Sequence, residues 1–200
     1  MSQTAEVLEF DDLAAPRLTD VQRQILEHTE SRTVDLDVDR MLVDAVAQAG
    51  ADDLDDGDGV TTRIAAYVAA IEADGGLTQL IRGTLRARVV RLLRNRLSLT
   101  ALLARYPEIE SIEIERPFIV VGMPRSGTTH LVNLLAADPR RRALPYWESR
   151  DPLPLPGQGP DAFGTDPRYT AAKAEHEAMM VSAPHTAALH DRFPEAIEEE

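Results

Sequence analysis

The chain has 200 residues, of which 44% are hydrophobic and 28% are charged. It has no cysteine, and its formal net charge is −13 at pH 7. Nucleic acids and anionic membranes repel a protein of this charge, which argues against a general nucleic-acid binder. No apolar run approaches the roughly 20 residues that span a bilayer, and the acidic N-terminus MSQTAEVLEFDD lacks the apolar core of a signal sequence. Since nothing requires an oxidising compartment either, we expect a cytoplasmic protein without a transmembrane segment.

Residues 1–114 are predicted to form a helical N-terminal region. Apolar residues recur at helical spacing in Thr19–His28, in Arg63–Ala73 and along Thr78–Arg105, which reads as one long helix or two abutting ones. An acidic loop at 52–59 separates the first two segments, and its acids do not have the spacing of a calcium loop.

Arginines cover the face of the long predicted helix that lies opposite its apolar stripe. They are Arg82, Arg86, Arg88, Arg91, Arg94 and Arg96. No acidic residue interrupts them, so this face either pairs with the acidic N-terminal segments or docks an anionic acceptor or partner. The sequence leaves both interpretations open.

The stretch PFIVVGMPRSGTTHL, residues 117–131, is predicted to join a buried strand to a helix through a glycine-bounded loop. The four residues at 118–121 are aromatic or β-branched, as in a strand that is buried on both faces. Gly122 ends this run, and apolar residues at helical spacing follow from Gly127. Residues 126–129 then fall at a helix N-terminus, where free N–H groups and the positive end of the helix dipole favour a phosphate-like anion.

This loop has nearly the spacing of a Walker A motif. Gly122, four residues, Gly127, Thr128 and Thr129 reproduce G-x-x-x-x-G-[K]-[ST], except that Thr128 occupies the position of the lysine. A P-loop NTPase uses that lysine to reach the β- and γ-phosphates, so hydrolysis of a nucleoside triphosphate is not expected. Arg125 instead offers a planar, permanently charged fork to a transferring anionic group.

These residues resemble those of a known family. PRSGTT at 124–129 looks like the 5′-phosphosulfate loop of sulfotransferases that use 3′-phosphoadenosine 5′-phosphosulfate (PAPS). The downstream pairs D-P at 138–139 and W-E at 147–148 are similar to the bacterial branch of this family, as is the segment from Leu103 to Glu108 before the predicted strand. The likeness extends from roughly Leu77 to Glu195.

The resemblance implies an α/β fold, with a P-loop NTPase-like parallel sheet flanked by helices, that starts at residue 115 and runs to residue 200. One strong strand cannot make such a sheet, which needs several parallel strands joined by crossovers. We therefore expect a fragment, or a family member lacking the later strands. The residues that grip the 3′-phosphate of PAPS lie on later segments in the family, and nothing in this chain matches them.

By the same resemblance, PAPS is the expected co-substrate, and Arg125, Ser126, Gly127, Thr128 and Thr129 are its expected ligands. Arg125 is also expected to stabilise the negative charge that grows on the leaving 5′-phosphate. We expect no metal, because the sulfuryl group carries less charge than a phosphoryl group.

Three residues are candidates for the base that accepts the proton of the acceptor hydroxyl. Glu148 leads, because it resembles the glutamate that serves as base in tyrosyl-protein and some bacterial sulfotransferases. Its alternative role is an ion pair with Arg150 or Arg142. His190 looks like a histidine of the bacterial branch that lines the acceptor site, and His185 lies roughly where cytosolic sulfotransferases place a catalytic histidine.

The sequence thus predicts a sulfotransferase that moves a sulfuryl group from PAPS to a hydroxyl of a small molecule, glycan or glycolipid. Two alternatives remain. An atypical P-loop kinase would need ATP and magnesium, and a catalytically silent nucleotide-binding protein would use its arginine-rich helix to dock a partner. The acceptor and the oligomeric state are not predicted.

Overall fold

The computed structural model describes residues 11–12, 14–123, 126–154, 157–161, 164–183 and 193–197. The regular structure of these residues is helical. The α-helices are α1 (Asp20–Glu30), α2 (Val38–Ala49), α3 (Val60–Asp74), α4 (Gln79–Arg105), α5 (Thr128–Ala136), α6 (Tyr146–Arg150) and α7 (Pro167–Ser182), with 3₁₀ turns at Asp56–Asp58 and Pro107–Ser111. The three helices predicted in the N-terminal region are confirmed as α1, α3 and α4, and the long one is continuous.

Side-chain caps set the starts of several of these helices. Thr19 Oγ1 accepts a hydrogen bond from the Gln22 N–H (3.2 Å), and Gln22 Oε1 accepts one from the Thr19 N–H (2.9 Å), which closes a capping box at α1. Helices α2 and α4 have simpler caps, in which a side-chain oxygen of Asp37 or of Thr78 accepts one hydrogen bond from a backbone N–H of the first turn. Gly50 ends α2 with φ of +65°, the left-handed conformation that glycine adopts without strain.

The hydrophobic core lies between α2 and the middle of α4. Its buried members are Met41, Ala45, Ala49, Leu54, Val89, Val90, Leu93 and Leu97. Small alanines on α2 let the larger side chains of α4 approach closely, while partly buried residues of α3 cover the edge of the cluster. Helix α4 is therefore the central element of the N-terminal region.

Leu97→Ala should destabilise the protein by about 2–5 kcal/mol, because Leu97 is fully buried and its removal leaves a cavity between α2 and α4. Leu92→Ala on the same helix is the matched control, since Leu92 is 55% exposed. Urea unfolding followed by circular dichroism measures both free energies of unfolding. Equal losses in the two variants would place the core elsewhere.

Most of the arginine face of α4 pairs with acidic residues of the chain. The pairs are Arg82 with Glu72, Arg86 with Asp44, Arg94 with Asp151 and Arg96 with Asp58. Arg82 donates from both Nη atoms to Glu72 at 2.6 Å, and these hydrogen bonds hold the pKa of Glu72 below its usual range. Three of the four partners lie in the N-terminal segments. For these arginines, the interpretation that the face pairs with acidic N-terminal segments therefore holds.

The predicted parallel sheet is wrong, because the described residues contain no strand. Residues 117–121 have no regular structure, and no backbone hydrogen bond joins them to another described segment. A strand is stabilised by ladder hydrogen bonds to a neighbour, which an apolar run cannot supply alone. Val121 is 87% exposed instead of buried, and the Phe118 ring lies against the Arg141 guanidinium at 3.8 Å.

Candidate functional site

The described ends of the candidate anion loop lie close together before α5 begins. The Ser126 N–H donates a hydrogen bond to the Met123 carbonyl (3.2 Å). Gly127 follows with φ of +89° and is the N-cap of α5. This left-handed conformation favours glycine, so the second glycine of the motif is required by the backbone.

Gly122 lies against the far side of the same loop. A Cβ atom at this position would stand 2.7 Å from Ser126 Oγ and 2.8 Å from Thr128 Cγ2. Both distances are shorter than van der Waals contact, so any side chain at position 122 would force the Ser126 and Thr128 side chains to shift. The two glycines of the motif therefore have separate and definable backbone roles.

The N-terminus of α5 presents free donors. Its first intrahelical hydrogen bond runs from the Leu131 N–H to the Gly127 carbonyl (3.1 Å), and no described side chain caps the helix. The N–H groups of Thr128, Thr129 and His130 thus have no acceptor within the described residues. Unpaired N–H groups at the positive end of a helix dipole suit an anionic ligand.

Glu148 lies on α6, whose start is held by the segment at 193–197. The Tyr146 N–H donates to the Ala196 carbonyl (2.8 Å), and the Trp147 N–H donates to the Pro194 carbonyl (3.2 Å). The Glu148 side chain is 19% exposed and pairs with Arg142, with Nη2 and Oε2 at 2.5 Å. The pairing that the sequence offered as the alternative role of Glu148 is thus present, with Arg142 as the partner.

The same segment ties α6 to α5. Asn133 Nδ2 of α5 donates to the Ile197 carbonyl (3.2 Å) and also to the Thr129 carbonyl of its own helix (2.8 Å). Residues 193–197 consequently bridge the helix that follows the loop and the helix that carries Glu148.

Helix α7 packs beside Glu148 through aromatic and charged groups. Trp147 meets Tyr169 edge to face, with ring centroids 6.4 Å apart, and the Arg168 guanidinium lies 4.8 Å from the Trp147 ring centroid. Hydrogen bonds to Asp166 raise the pKa of Arg168 above its usual range and lower that of Asp166. The tryptophan of the W-E pair therefore anchors α6 against α7.

Helix α4 supports the other end of α6. Arg94 pairs with Asp151, and both side chains are largely buried. Asn95 Nδ2 donates to the Arg150 carbonyl (2.9 Å). The position of Glu148 is thus coupled to the N-terminal helical region, a connection that the sequence pattern did not indicate.

Of the predicted site residues, the structure brings Ser126, Gly127, Thr128 and Thr129 together in the loop and places Glu148 on α6. No described contact joins Glu148 to the loop. Arg125, His185 and His190 lie outside the described residues. Asp138 was not predicted to act on the loop region, yet it organises the turn after α5, where hydrogen bonds from Arg140 lower the pKa of Asp138.

Two features of the described residues bear on other functions. No cluster of three or more histidine, aspartate or glutamate side chains has the arrangement of a metal site there. None of the described helices combines the length and apolarity needed to cross a membrane.

Comparison with known proteins gives two kinds of similarity. Residues 117–199 match the model of the sulfotransferase family. The fold is similar to that of the sulfotransferase STF1 from Mycobacterium tuberculosis, with a TM-score of 0.67 and 28% identity over 84% of this chain and 46% of that one. It is also similar to sulfotransferase STF9 from Mycobacterium avium, with a TM-score of 0.64 and 25% identity over 84% of this chain and 43% of that one.

The chain thus spans less than half the length of the solved structures that it resembles. No curated protein sequence matches it. The resemblance to bacterial sulfotransferases that the loop and its flanking motifs indicated is confirmed by the family match and by both structures.

Proposed function

We propose that this chain, which resembles the bacterial sulfotransferases, is part of a sulfotransferase that takes a sulfuryl group from PAPS and transfers it to the hydroxyl of a small molecule or glycolipid. One observation carries the proposal. The Ser126 and Thr128 side chains lie so close to Gly122 that a side chain there would displace them, and the loop leads into a helix whose first N–H groups have no acceptor among the described residues.

The residues fit the 5′-phosphate end of PAPS. A phosphate at the start of α5 would accept hydrogen bonds from the backbone N–H groups there and from the hydroxyls of Ser126, Thr128 and Thr129. Thr128 replaces the Walker lysine, which favours a ligand without a γ-phosphate. Arg125 is proposed to lie beside the bridging oxygen and to stabilise its charge.

The donor supplies an activated sulfuryl group when it is bound. In the proposed reaction, a new bond forms between the acceptor oxygen and sulfur while the bond from sulfur to the 5′-phosphate oxygen breaks. The hydroxyl proton moves to the Glu148 carboxylate, and the electron pair of the broken bond stays on the phosphate. The loop residues bind the phosphate throughout and thereby stabilise its added charge.

Glu148 must exchange the contact with Arg142 for a contact with the acceptor hydroxyl in order to act as base. The Arg142 side chain is 74% exposed, so its ion pair with Glu148 is weak and easily broken. His190 is proposed to line the acceptor site. We further propose that the protein is cytoplasmic and that the transfer needs no metal.

Transfer of radioactive sulfur from PAPS to a panel of phenol, sugar and glycolipid acceptors tests the proposal. Thr128→Ala should lower transfer, because a hydroxyl donor to the phosphate is lost. Thr84→Ala is the matched control, since Thr84 lies on α4 and its hydroxyl donates to the Leu80 carbonyl of the same helix. Nucleotide binding without transfer to any acceptor would instead favour the silent nucleotide-binding protein.

A further inference from the structure

A large cavity with an unusual charge lies between α4, α5 and α6. Its volume is about 1800 Å³. Its lining residues include ten arginines and two glutamates, whereas the whole chain has 34 acidic and 21 basic residues. The lining is therefore rich in arginine in a protein that is acidic overall, and several of these arginines pair with carboxylates of the chain.

Three of these arginines form a partly buried cluster. The Nε atoms of Arg91, Arg94 and Arg150 are buried, and none of them has a hydrogen-bond acceptor among the described residues. Arg94 pairs with Asp151, and Arg150 pairs with Glu175. Three positive charges thus share two carboxylates.

Arg91 is the unpaired member of the cluster. It is half-buried, yet no described residue forms an ion pair or hydrogen bond with it, whereas the other half-buried arginines of α4 each pair with a carboxylate. Burial, followed by the charge of Arg91, lowers the pKa of Arg150. An unpaired, partly buried guanidinium beside like charges costs free energy that a bound anion would recover.

Apolar side chains complete the cavity wall. Val90 of α4, Val132 and Leu135 of α5, and Leu144 line it together with the arginines. A ligand that satisfies both kinds of surface carries a compact oxyanion on an apolar body. Guanidinium groups bind phosphate and sulfate through paired N–H donors. A carboxylate offers fewer oxygens to several guanidinium groups than a phosphate or sulfate ester does.

The geometry points to a second anion site, in which the cluster of Arg91, Arg94 and Arg150 binds the head of a small phosphate or sulfate monoester and the apolar wall holds its body. The described loop residues 126–129 do not line this cavity, whereas Val120 before the loop and Val132 after it do, so the proposed site lies beside the nucleotide loop. The inference goes beyond the proposed sulfotransferase reaction and does not depend on it. A soluble ester is the expected ligand, because the net charge of −13 opposes docking on an anionic membrane.

Titration with hexyl phosphate, followed by calorimetry and by thermal unfolding, tests this site. Hexyl phosphate should bind the wild-type protein at least about tenfold more tightly than inorganic phosphate does, because its alkyl chain buries apolar area. Arg91→Gln should weaken the binding of hexyl phosphate by about tenfold or more, since a charged donor to the oxyanion is lost. Arg105→Gln, an exposed arginine at the end of the same helix, should bind like the wild type.

Unfolding without ligand separates this role from a structural one. Arg91→Gln should keep or raise the melting temperature, because it removes a repelling charge, and it should lose the rise that hexyl phosphate produces. Arg91→Lys retains the charge but loses the paired N–H donors of the guanidinium, so its affinity for hexyl phosphate should lie between those of the wild type and Arg91→Gln. Equal binding by wild type and Arg91→Gln, a lower melting temperature of Arg91→Gln without ligand, or displacement of hexyl phosphate by adenosine 3′,5′-bisphosphate would overturn the inference.

Discussion

Glu148→Gln is expected to lower the rate of sulfuryl transfer by about 100-fold to 10,000-fold, the usual contribution of a general base, while leaving nucleotide affinity unchanged. Glutamine keeps the shape of the side chain but cannot accept the hydroxyl proton. The measurement is the single-turnover rate with PAPS and the best acceptor.

The structure supplies the competing explanation, in which Glu148 serves only to pair with Arg142. In that case Arg142→Gln should reproduce the effect of Glu148→Gln, because either substitution breaks the same ion pair. Glu177→Gln is the control for a general charge effect, since Glu177 is exposed on α7 and has no ion pair among the described residues. A single-turnover rate that stays unchanged in Glu148→Gln would exclude Glu148 as the base.

Gly122→Ala is expected to weaken binding of adenosine 3′,5′-bisphosphate by about 10-fold to 100-fold. The added methyl group would meet Ser126 Oγ at 2.7 Å and Thr128 Cγ2 at 2.8 Å, so the Ser126 and Thr128 side chains must turn away from Gly122. Such a movement misaligns donors to the phosphate, and a lost hydrogen bond to a charged group costs about 1.5–3 kcal/mol. Calorimetry measures the affinity.

Gly83→Ala is the matched control for this substitution. Gly83 lies inside α4, and a Cβ there meets nothing within 4 Å, so alanine should leave binding intact and favour the helix slightly. If Gly122→Ala binds the bisphosphate as tightly as the wild type does, the nucleotide does not depend on the close approach of the loop.

Local patterns predicted α1, α3, α4 and the helix that follows the loop, because their signals are carried by nearby residues. The cap at Thr78 and the apolar stripe of α4 suffice to predict that helix. Helix α2 was not predicted, although Asp37 and Gly50 bracket it as N-cap and left-handed C-cap. Its importance comes from contacts with α4 that no local pattern contains.

The prediction of a strand was wrong because a strand, unlike a helix, depends on residues that are distant in sequence. Residues 118–121 have the composition of a buried strand, but strand formation depends on a partner elsewhere in the chain, and no described segment pairs with them. Glycine positions in the loop were predictable from the motif, since backbone conformation restricts them. The pairing of Glu148 with Arg142 was one of the alternatives that the sequence offered, since the two residues are close in sequence. The unpaired Arg91 required the packed structure, because its surroundings come from segments distant in sequence.

Calorimetric titration of adenosine 3′,5′-bisphosphate in the presence of EDTA, with ATP and magnesium as the comparison, tests the central claim most directly. The proposed sulfotransferase loop predicts saturable binding of the bisphosphate without metal, and weaker binding in Arg125→Ala. A preference for ATP with magnesium, or no binding of the bisphosphate, would contradict the assignment of this loop to a PAPS-dependent sulfotransferase.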